Sequence, residues 1–362
     1  MNQSVKSSQL LQDSSPSPAG AAPYSHGVRF YPAHAVVFLL NQLALRGVPS
    51  QQALAGSGIS AEEIGVASTR FSVLQILAVI RNAILHAPAI SLQVGTCFNA
   101  SACGILGFAI LSSPNRTALL HTILKYNCLI DPLTKLRYAG REGWAIWEVE
   151  PNLACAPTDP LYRFVVELKM SCFRAMTRDL YGDDFQFKRI SLRFPAPPHA
   201  GDYMAIFNCD ILFNQPKNEI VFKEILAGKD RPEADAITHA MMLELCEQSL
   251  QKMTRNATAA GAVLMILLGC SGVYPNIEEI ARELAVNART LRRRLEAEGT
   301  SYSEILSRHR MQLALSYLKT SDLNNNEIAA RLGYSDATNF RRAFVSWAGA
   351  PPSHFRPAVP PP

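Results

Sequence analysis

The chain has 362 residues, of which 48% are hydrophobic and 18% charged. That length suits about two domains of ordinary size, and the apolar fraction excludes a wholly disordered chain and a small disulfide-stapled scaffold. The formal net charge is only +5, too weak a total to point to nucleic acid or a membrane surface, so its position along the chain matters more than its size.

Residues 1–27 are rich in Ser, Pro, Gln and Ala and have no apolar signal-peptide core; they read as a disordered tail. Residues 33–46 have helical length and stop at Gly47-Val48-Pro49. Ser60-Ala-Glu-Glu reads as a capping box. Leu74–Leu85 places Leu74, Leu77, Ile80 and Ile84 at helical spacing, and the small, apolar run from Gly104 stops at Pro114. The period then changes. Lys135–Tyr138 and Trp144–Glu150, separated by Gly140 and Gly143, predict a β-hairpin. Tyr162–Tyr181 returns to helix, Lys188–Phe194 alternates as a strand, and Ile211–Phe213 with Glu219–Phe222 predicts a second hairpin around Asn214–Asn218. Ile237–Lys252 is helical, Thr254–Thr258 is a polar break, and from Gly261 to Phe355 everything reads as helix and tight turn.

The longest apolar runs, such as Ala35–Leu40 and Ala262–Leu268, fall far short of the ~20 residues a membrane span needs. Cys97, Cys103, Cys128, Cys155, Cys172, Cys209, Cys246 and Cys270 are scattered, without C-x-x-C or zinc spacing. The expectation is no metal, no cofactor, no membrane, and reduced thiols in a cytoplasmic protein. The chain lacks G-x-S-x-G, H-E-x-x-H and a P-loop, since Gly104-Ile-Leu-Gly has no Lys-Ser/Thr. His309 reads as a partly exposed helix residue rather than a base, and Asp159 and Asp183-Asp184 read as turn or cap residues. No enzyme is expected.

The charge is concentrated at one end. From residue 271 onward there are twelve Lys and Arg, eleven of them Arg, against nine Asp and Glu. This region repeats itself: 277–295 and 326–344 both read as helix, short turn, helix. Glu279-Ile-Ala aligns with Glu327-Ile-Ala, and Leu291-Arg-Arg-Arg-Leu with Phe340-Arg-Arg-Ala-Phe after one extra residue in the second turn. Ile277, Ile280, Ala281 and Leu284 form an inward stripe in the first copy, as do Ile328, Ala329 and Leu332 in the second. Asn287 and Ser335 or Asp336 are the N-cap candidates of the second helices, and Gly333 suits a helix C-terminus. With Leu291 and Leu295, or Phe340 and Phe344, turned inward, the outward face carries Arg289, Arg292, Arg293 and Arg294 in one copy and Ala337, Thr338, Arg341 and Arg342 in the other. A guanidinium fork donates twice to guanine O6 and N7 in the major groove. Between the copies, Ser301-Tyr-Ser-Glu opens a helix running to about Leu318, roughly 25 Å long, which suits a spacer between two successive major-groove segments.

The run Ile277–Arg356 resembles the AraC/XylS family of bacterial transcription regulators, through Arg289-Thr-Leu-Arg-Arg-Arg-Leu-Glu-Ala-Glu-Gly-Thr-Ser-Tyr, Ile328-Ala-Ala-Arg-Leu-Gly-Tyr-Ser-Asp and the ending Phe355-Arg356. Ala350 departs from the polar residue the family often has there. Residues 30–230 are similar to the family's arabinose-binding-like effector domain, through Ala100–Pro114, Asp131-Pro-Leu, Phe207–Asn214 and Asn218–Phe222. That label describes similarity and does not establish arabinose as ligand. The resemblance implies an α+β chain: a mixed N-terminal effector-binding and dimerisation domain over 28–235, a linker helix region over 236–260, and an all-α DNA-binding domain of two helix-turn-helix units joined by a long helix over 261–362. It implies a homodimeric activator that binds promoter DNA, senses a small-molecule effector and recruits RNA polymerase; the alternative is a purely dimerising N-terminal domain. Base contact falls on Arg289, Arg292, Arg293, Ala337, Thr338, Arg341 and Arg342, with Thr290 and Asn339 at phosphate or helix-end positions. Candidates for the effector pocket are Phe108, Tyr126, Tyr138, Trp144 and Trp147, with Arg137 or Arg163 as an anion anchor. A fatty acid or acyl compound and an amino-acid-derived effector both suit such a pocket.

Overall fold

The computed structural model describes residues 29–66, 68–153, 155–223, 234–255, 258–270, 272–321 and 323–356. The tail expected over residues 1–27 lies outside them. The described residues divide into two compact units, one of residues 29–152 with 156–255 and one of residues 258–356.

The first unit is α+β. Its helices are α1 (His34–Ala44), α2 (Ser50–Ala53), α3 (Val73–His86), α4 (Ser91–Thr96), α5 (Gly104–Leu111), α6 (Arg116–Tyr126), α7 (Pro160–Tyr181), α8 (Gly201–Phe207) and α9 (Ala236–Arg255). Two short strands, β1 (Tyr31–Pro32) and β2 (Arg70–Phe71), pair antiparallel. Local signals set the helix starts. Ser72 and Gln75 form a capping box before α3, and Asp159 accepts from the Leu161 N–H with Pro160 in the first position of α7. At Ser60 the expected capping box is present, but it opens only a three-residue 3-10 turn, Ala61–Glu63. Helix α3 buries Val73, Ile76, Leu77, Val79, Ile80, Ala83 and Ile84, a wide core-facing stripe.

The sheet has five strands: β3 (Thr134–Arg141), β4 (Trp144–Pro151), β5 (Phe187–Ser191), β6 (Asp210–Leu212) and β7 (Glu219–Lys223), in the order β3-β4-β7-β5-β6. The β3–β4 pair is the expected hairpin, with Tyr138 opposite Trp147. The hairpin expected over Ile211–Phe222 does not form. β6 runs parallel to β5 on one side, and β7 runs antiparallel to β5 on the other. The intervening segment is pulled across the end of β5 by hydrogen bonds from Asn214 N to Phe194 O (3.1 Å) and from Gln215 N to Leu192 O (2.8 Å). The buried Asn218 amide fixes the return: it accepts from Arg193 N (2.9 Å) and donates to Val149 O (3.1 Å) and Tyr162 Oη (2.7 Å). These non-local bonds outweigh the local turn.

The segment expected to be a linker helix region, 236–260, contains helix α9, but α9 belongs to the first unit, which therefore extends past 235 to Arg255. His239, Cys246 and Met253, spaced seven residues apart, are its buried row. His239 Nδ1 lies 2.9 Å from Ala109 O on α5, and Glu247 accepts from Tyr126 Oη on α6 at 2.9 Å.

The second unit is helical: α10 (Ala259–Leu268), α11 (Ile277–Glu283), α12 (Ala288–Ala297), α13 (Tyr302–Thr320), α14 (Asn325–Arg331) and α15 (Ala337–Ala348), followed by a 3-10 turn, Pro352–Phe355. Ala314, Leu318, Ile328, Ala329, Leu332, Phe340 and Phe344 form one buried cluster, against which Trp347 and Phe355 pack. Among the described residues no helix is long and apolar enough to cross a membrane.

Candidate nucleic-acid interface and internal cavity

The two sequence repeats fold into the same object. Asn276 and Glu279 form a capping box at the start of α11, and Asn324 and Glu327 form its counterpart at the start of α14. Two residues beyond each first helix comes a residue at positive φ, Ala285 (54°) and Gly333 (71°). The next residue donates back to the helix in both: Val286 N to Ala281 O and Tyr334 N to Ala329 O, each 2.9 Å. The second helices are capped by Asn287, accepting from Thr290 N, and by Asp336, accepting from Asn339 N, both at 2.7 Å. Leu291 and Leu295 on α12, and Phe340 and Phe344 on α15, are buried.

The opposite faces are therefore exposed. Arg289, Arg292, Arg293 and Arg294 point to solvent from α12, and Thr338, Arg341 and Arg342 do so from α15, with Ala337 half-buried. Thr290 is half-buried, and the exposed Asn339 amide donates to Ser335 Oγ and Asp336 Oδ2 at 2.9 Å each, so both belong to the helix starts. Arg292 is ion-paired to Glu278 in the first turn of α11. The Glu278 carboxyl lies below its usual range through backbone and Arg292 hydrogen bonds.

Helix α13 holds both repeats. At its start, Tyr302 Oη donates to Pro275 O just before the first repeat (2.5 Å). In its middle, the Arg310 guanidinium lies over two rings, 4.8 Å from the Tyr274 centroid and 4.7 Å from that of Tyr334. One cation thus joins the entry to the first repeat with the turn of the second. Burial pushes the Tyr274 and Tyr334 hydroxyls upward. His309, expected to be partly exposed, is buried and packs edge-on against Tyr274 with centroids 5.7 Å apart, beside Arg310 on the same ring. Arg356 donates to Leu323 O (2.6 Å), and Phe355 packs against Phe344 with centroids 5.3 Å apart, so the Phe-Arg ending closes the second repeat.

The first unit holds a cavity of about 160 Å³, open to solvent on one side and lined mainly by α1, α3, α5, α7 and the approach to β3. Val36, Leu39, Ile76, Ile80, Phe164 and Phe173 are among its apolar walls; Asn127, Asp131, Thr134 and Lys169 cluster as its polar end, and His34 and Thr177 are further polar lining residues. None of the seven pocket residues expected from sequence lines it. Phe108 is half exposed on α5. Tyr126 is buried against Glu247, and Arg137 is an exposed strand residue 3.0 Å from Glu150. Tyr138 accepts from Arg116, Trp144 is half-buried at the start of β4, and Arg163 lies 3.8 Å from the buried Glu167. Trp147 comes nearest in role: it is buried and packs against the cavity-lining Phe173, centroids 5.3 Å apart, one layer behind the wall. The residues that line the cavity lay hidden among the ordinary apolar stripes of α1, α3 and α7.

A second buried polar group lies away from that cavity. Glu167 accepts from Ser91 and Tyr203 and has His199 Nε2 at 2.8 Å. Burial and the nearby Glu167 push the Tyr203 hydroxyl well above its ordinary range. Among the described residues no cluster of His, Cys, Asp and Glu is suited to a metal ion.

Paired helix-turn-helix units with arginine faces, in one chain with an α+β unit, define a DNA-binding regulator of transcription. A family model described as the arabinose-binding domain of AraC transcription regulator matches residues 47–229, and a helix-turn-helix domain model matches 280–358. The chain belongs to the AraC-type family of transcription regulators. It is 32% identical to the ornithine utilization regulator of Pseudomonas aeruginosa over 88% of this chain and 94% of that one. It is 26% identical to an HTH-type transcriptional regulator of Mycobacterium tuberculosis, covering 90% of this chain and 96% of the relative. The crystal structure of the transcriptional regulator CdpR from Pseudomonas aeruginosa is 22% identical, with a TM-score of 0.46, over 89% of this chain and 98% of that one.

Proposed function

We propose that this protein is a ligand-responsive, homodimeric activator of the bacterial cytoplasm that binds promoter DNA through α12 and α15, takes its effector in the cavity of the first unit, and recruits RNA polymerase. The observation that carries the DNA part is the matched pair of capped helices, each with an apolar pair inside and an Arg-Arg pair outside. In this reading Arg289, Arg292, Arg293, Ala337, Thr338, Arg341 and Arg342 meet base edges, while Thr290 and Asn339 lie at the phosphate-facing helix starts. Helix α13, 19 residues and therefore roughly 28 Å long, suits a spacing of about one DNA turn between the two recognition helices. The effector part rests on an apolar cavity with few polar groups at one end, the usual make-up of a small-molecule site.

Arg292→Ala and Arg342→Ala should each weaken specific promoter binding by ~1–3 kcal/mol and relax base preference at one position. Binding should also fall steeply with salt. An unchanged affinity and footprint in both variants refutes the assignment. For the effector, thermal denaturation across a metabolite library should show a concentration-dependent rise for at least one compound; no rise across fatty acids, amino acids, sugars and neutral carbonyl compounds refutes it.

A further inference from the structure

The polar end of the cavity carries a definite charge count. Lys169 Nζ lies 2.9 Å from Asp131 Oδ2 and 2.6 Å from Asn127 Oδ1, with the lysine side chain only 12% exposed. An ammonium has three N–H donors. Two are engaged, and one remains on a group that lines the cavity.

The carboxylate is already satisfied. Asp131 Oδ1 accepts from Leu133 N (2.9 Å) and Thr134 N (3.2 Å), and Oδ2 accepts from Thr134 Oγ1 (2.5 Å) as well as from Lys169. A carboxylate offers about four acceptor sites, and four donors fill them. The Thr177 hydroxyl donates to Arg174 O, and the Asn127 Nδ2 amide donates to Thr134 O. Burial pushes the Cys103 thiol in the wall up to about 11, so it is uncharged at neutral pH. The remaining titratable lining residues are Cys172, whose buried thiol is likewise uncharged, and the exposed His34.

This end is therefore a balanced ion pair with one donor to spare. A ligand carboxylate would add a negative charge to a pair already neutral, and a ligand ammonium would find the carboxylate's acceptor sites occupied. At this end, away from the exposed His34, both would lose hydration without a matching partner. A neutral acceptor takes the spare N–H at no charge cost. The inner volume also suits a ring-sized body: a cavity of ~150 Å³ lined by aliphatic and aromatic side chains accepts benzene.

We propose that the cavity selects an uncharged apolar molecule, with a body of about benzene's size and a single hydrogen-bond acceptor such as a carbonyl, held by Lys169. This rests on the effector reading above and narrows it: a free fatty acid and a zwitterionic amino acid are both disfavoured.

The test uses the full-length protein and near-isosteric probes: acetophenone, benzoate and benzylamine, with L-ornithine as a charged amino acid, read by thermal denaturation and calorimetric titration. Acetophenone should bind at least about tenfold more tightly than benzoate, benzylamine or ornithine. Asp131→Asn removes the balancing charge and keeps one acceptor oxygen for the turn; it should reverse the order so that benzoate overtakes acetophenone. Lys169→Met should lose at least about tenfold for acetophenone while benzene, which needs no donor, binds as before. If benzoate or ornithine binds the unmodified protein as well as acetophenone does, the proposed class is wrong while the effector reading stands. Undiminished acetophenone binding by Lys169→Met overturns the role of that residue. Failure of all the probes overturns the inference, and the effector reading is then decided separately by the metabolite library.

Discussion

Two glycines allow the packing of the second unit to be tested with an internal control. Gly299 and Gly333 each lie two residues beyond the last residue of a helix, and each has φ of +71°. Around Gly299 a Cβ would meet nothing within 4 Å, whereas at Gly333 it would lie 2.2 Å from Gly272 O and 3.2 Å from Arg310 Nη2. Both alanine variants incur the left-handed penalty of ~1–2 kcal/mol. Only Gly333→Ala must also push a backbone carbonyl away, an overpacking cost of ~1–3 kcal/mol. The aligned position of the first repeat is Ala285, at φ +54°, so the backbone conformation alone is tolerated there with a Cβ. The contact with Gly272 is the decisive difference. In a unit of about 100 residues each kcal/mol shifts Tm by roughly 4–8 °C. The assay is differential scanning calorimetry of the full chain, with the relevant transition identified as the one that duplex DNA raises at low salt. Gly333→Ala should melt at least ~4 °C below Gly299→Ala in that transition. Equal Tm losses in the two variants would refute the reasoning.

Other expectations follow from single contacts. Glu278→Gln releases Arg292 from its ion pair and removes a negative charge beside the proposed DNA face; promoter affinity in a mobility-shift titration should rise, and a fall would contradict the placement of Arg292 on that face. The Cys103 thiol, raised to about 11 by burial, should be about one part in a thousand thiolate at pH 8; iodoacetamide should leave it unlabelled in the native protein and label it after denaturation, as peptide mass spectrometry would report. Glu167→Ala strips the shared acceptor from Ser91 and Tyr203 and the partner of His199; it should destabilise the first unit by about 3 kcal/mol, visible as a lower calorimetric transition that DNA does not affect, whereas an unshifted transition would show the network to be dispensable.

The extent to which the fold could be read follows the range of the interactions that build it. Helix α3 and the β3–β4 hairpin were legible because an apolar period in one and two strands around a glycine turn in the other each lie within a few residues. The strands Asp210–Leu212 and Glu219–Lys223 were legible as extended segments but not as separate partners of β5. Their separation is enforced by Asn214, Gln215 and Asn218 bonding to residues 20 or more positions away. Helix α9 shows the same limit. Its length was readable, but its membership in the first unit depends on His239 meeting α5 and Glu247 meeting α6. A row spaced by seven residues does not say what it packs against.

The two candidate sites differ in legibility for a geometric reason. A convex surface is a property of one helix: once Leu291 and Leu295 are assigned inward, the outward direction of Arg292 follows from 3.6 residues per turn, and buried Phe340 and Phe344 repeat the deduction for Arg341 and Arg342. A cavity is a property of several helices that do not quite fill the space between them. Leu39, Ile76 and Phe164 obey the same inward pattern as any core residue, and nothing in their spacing separates a wall of empty volume from a packed contact. Aromatic richness pointed instead to Trp147 and Tyr138, which pack tightly on each other, centroids 5.2 Å apart. The distinguishing residue was a different kind of anomaly: Lys169 on an otherwise apolar face of α7, eight residues before the buried Thr177 and two after the buried Glu167. A lysine is almost never so enclosed without a partner, and a helix that buries one charge on each of two nearly opposite faces needs polar neighbours on both. Glu167 finds Ser91, His199 and Tyr203; Lys169 finds Asp131 and Asn127 and keeps one donor for whatever occupies the cavity.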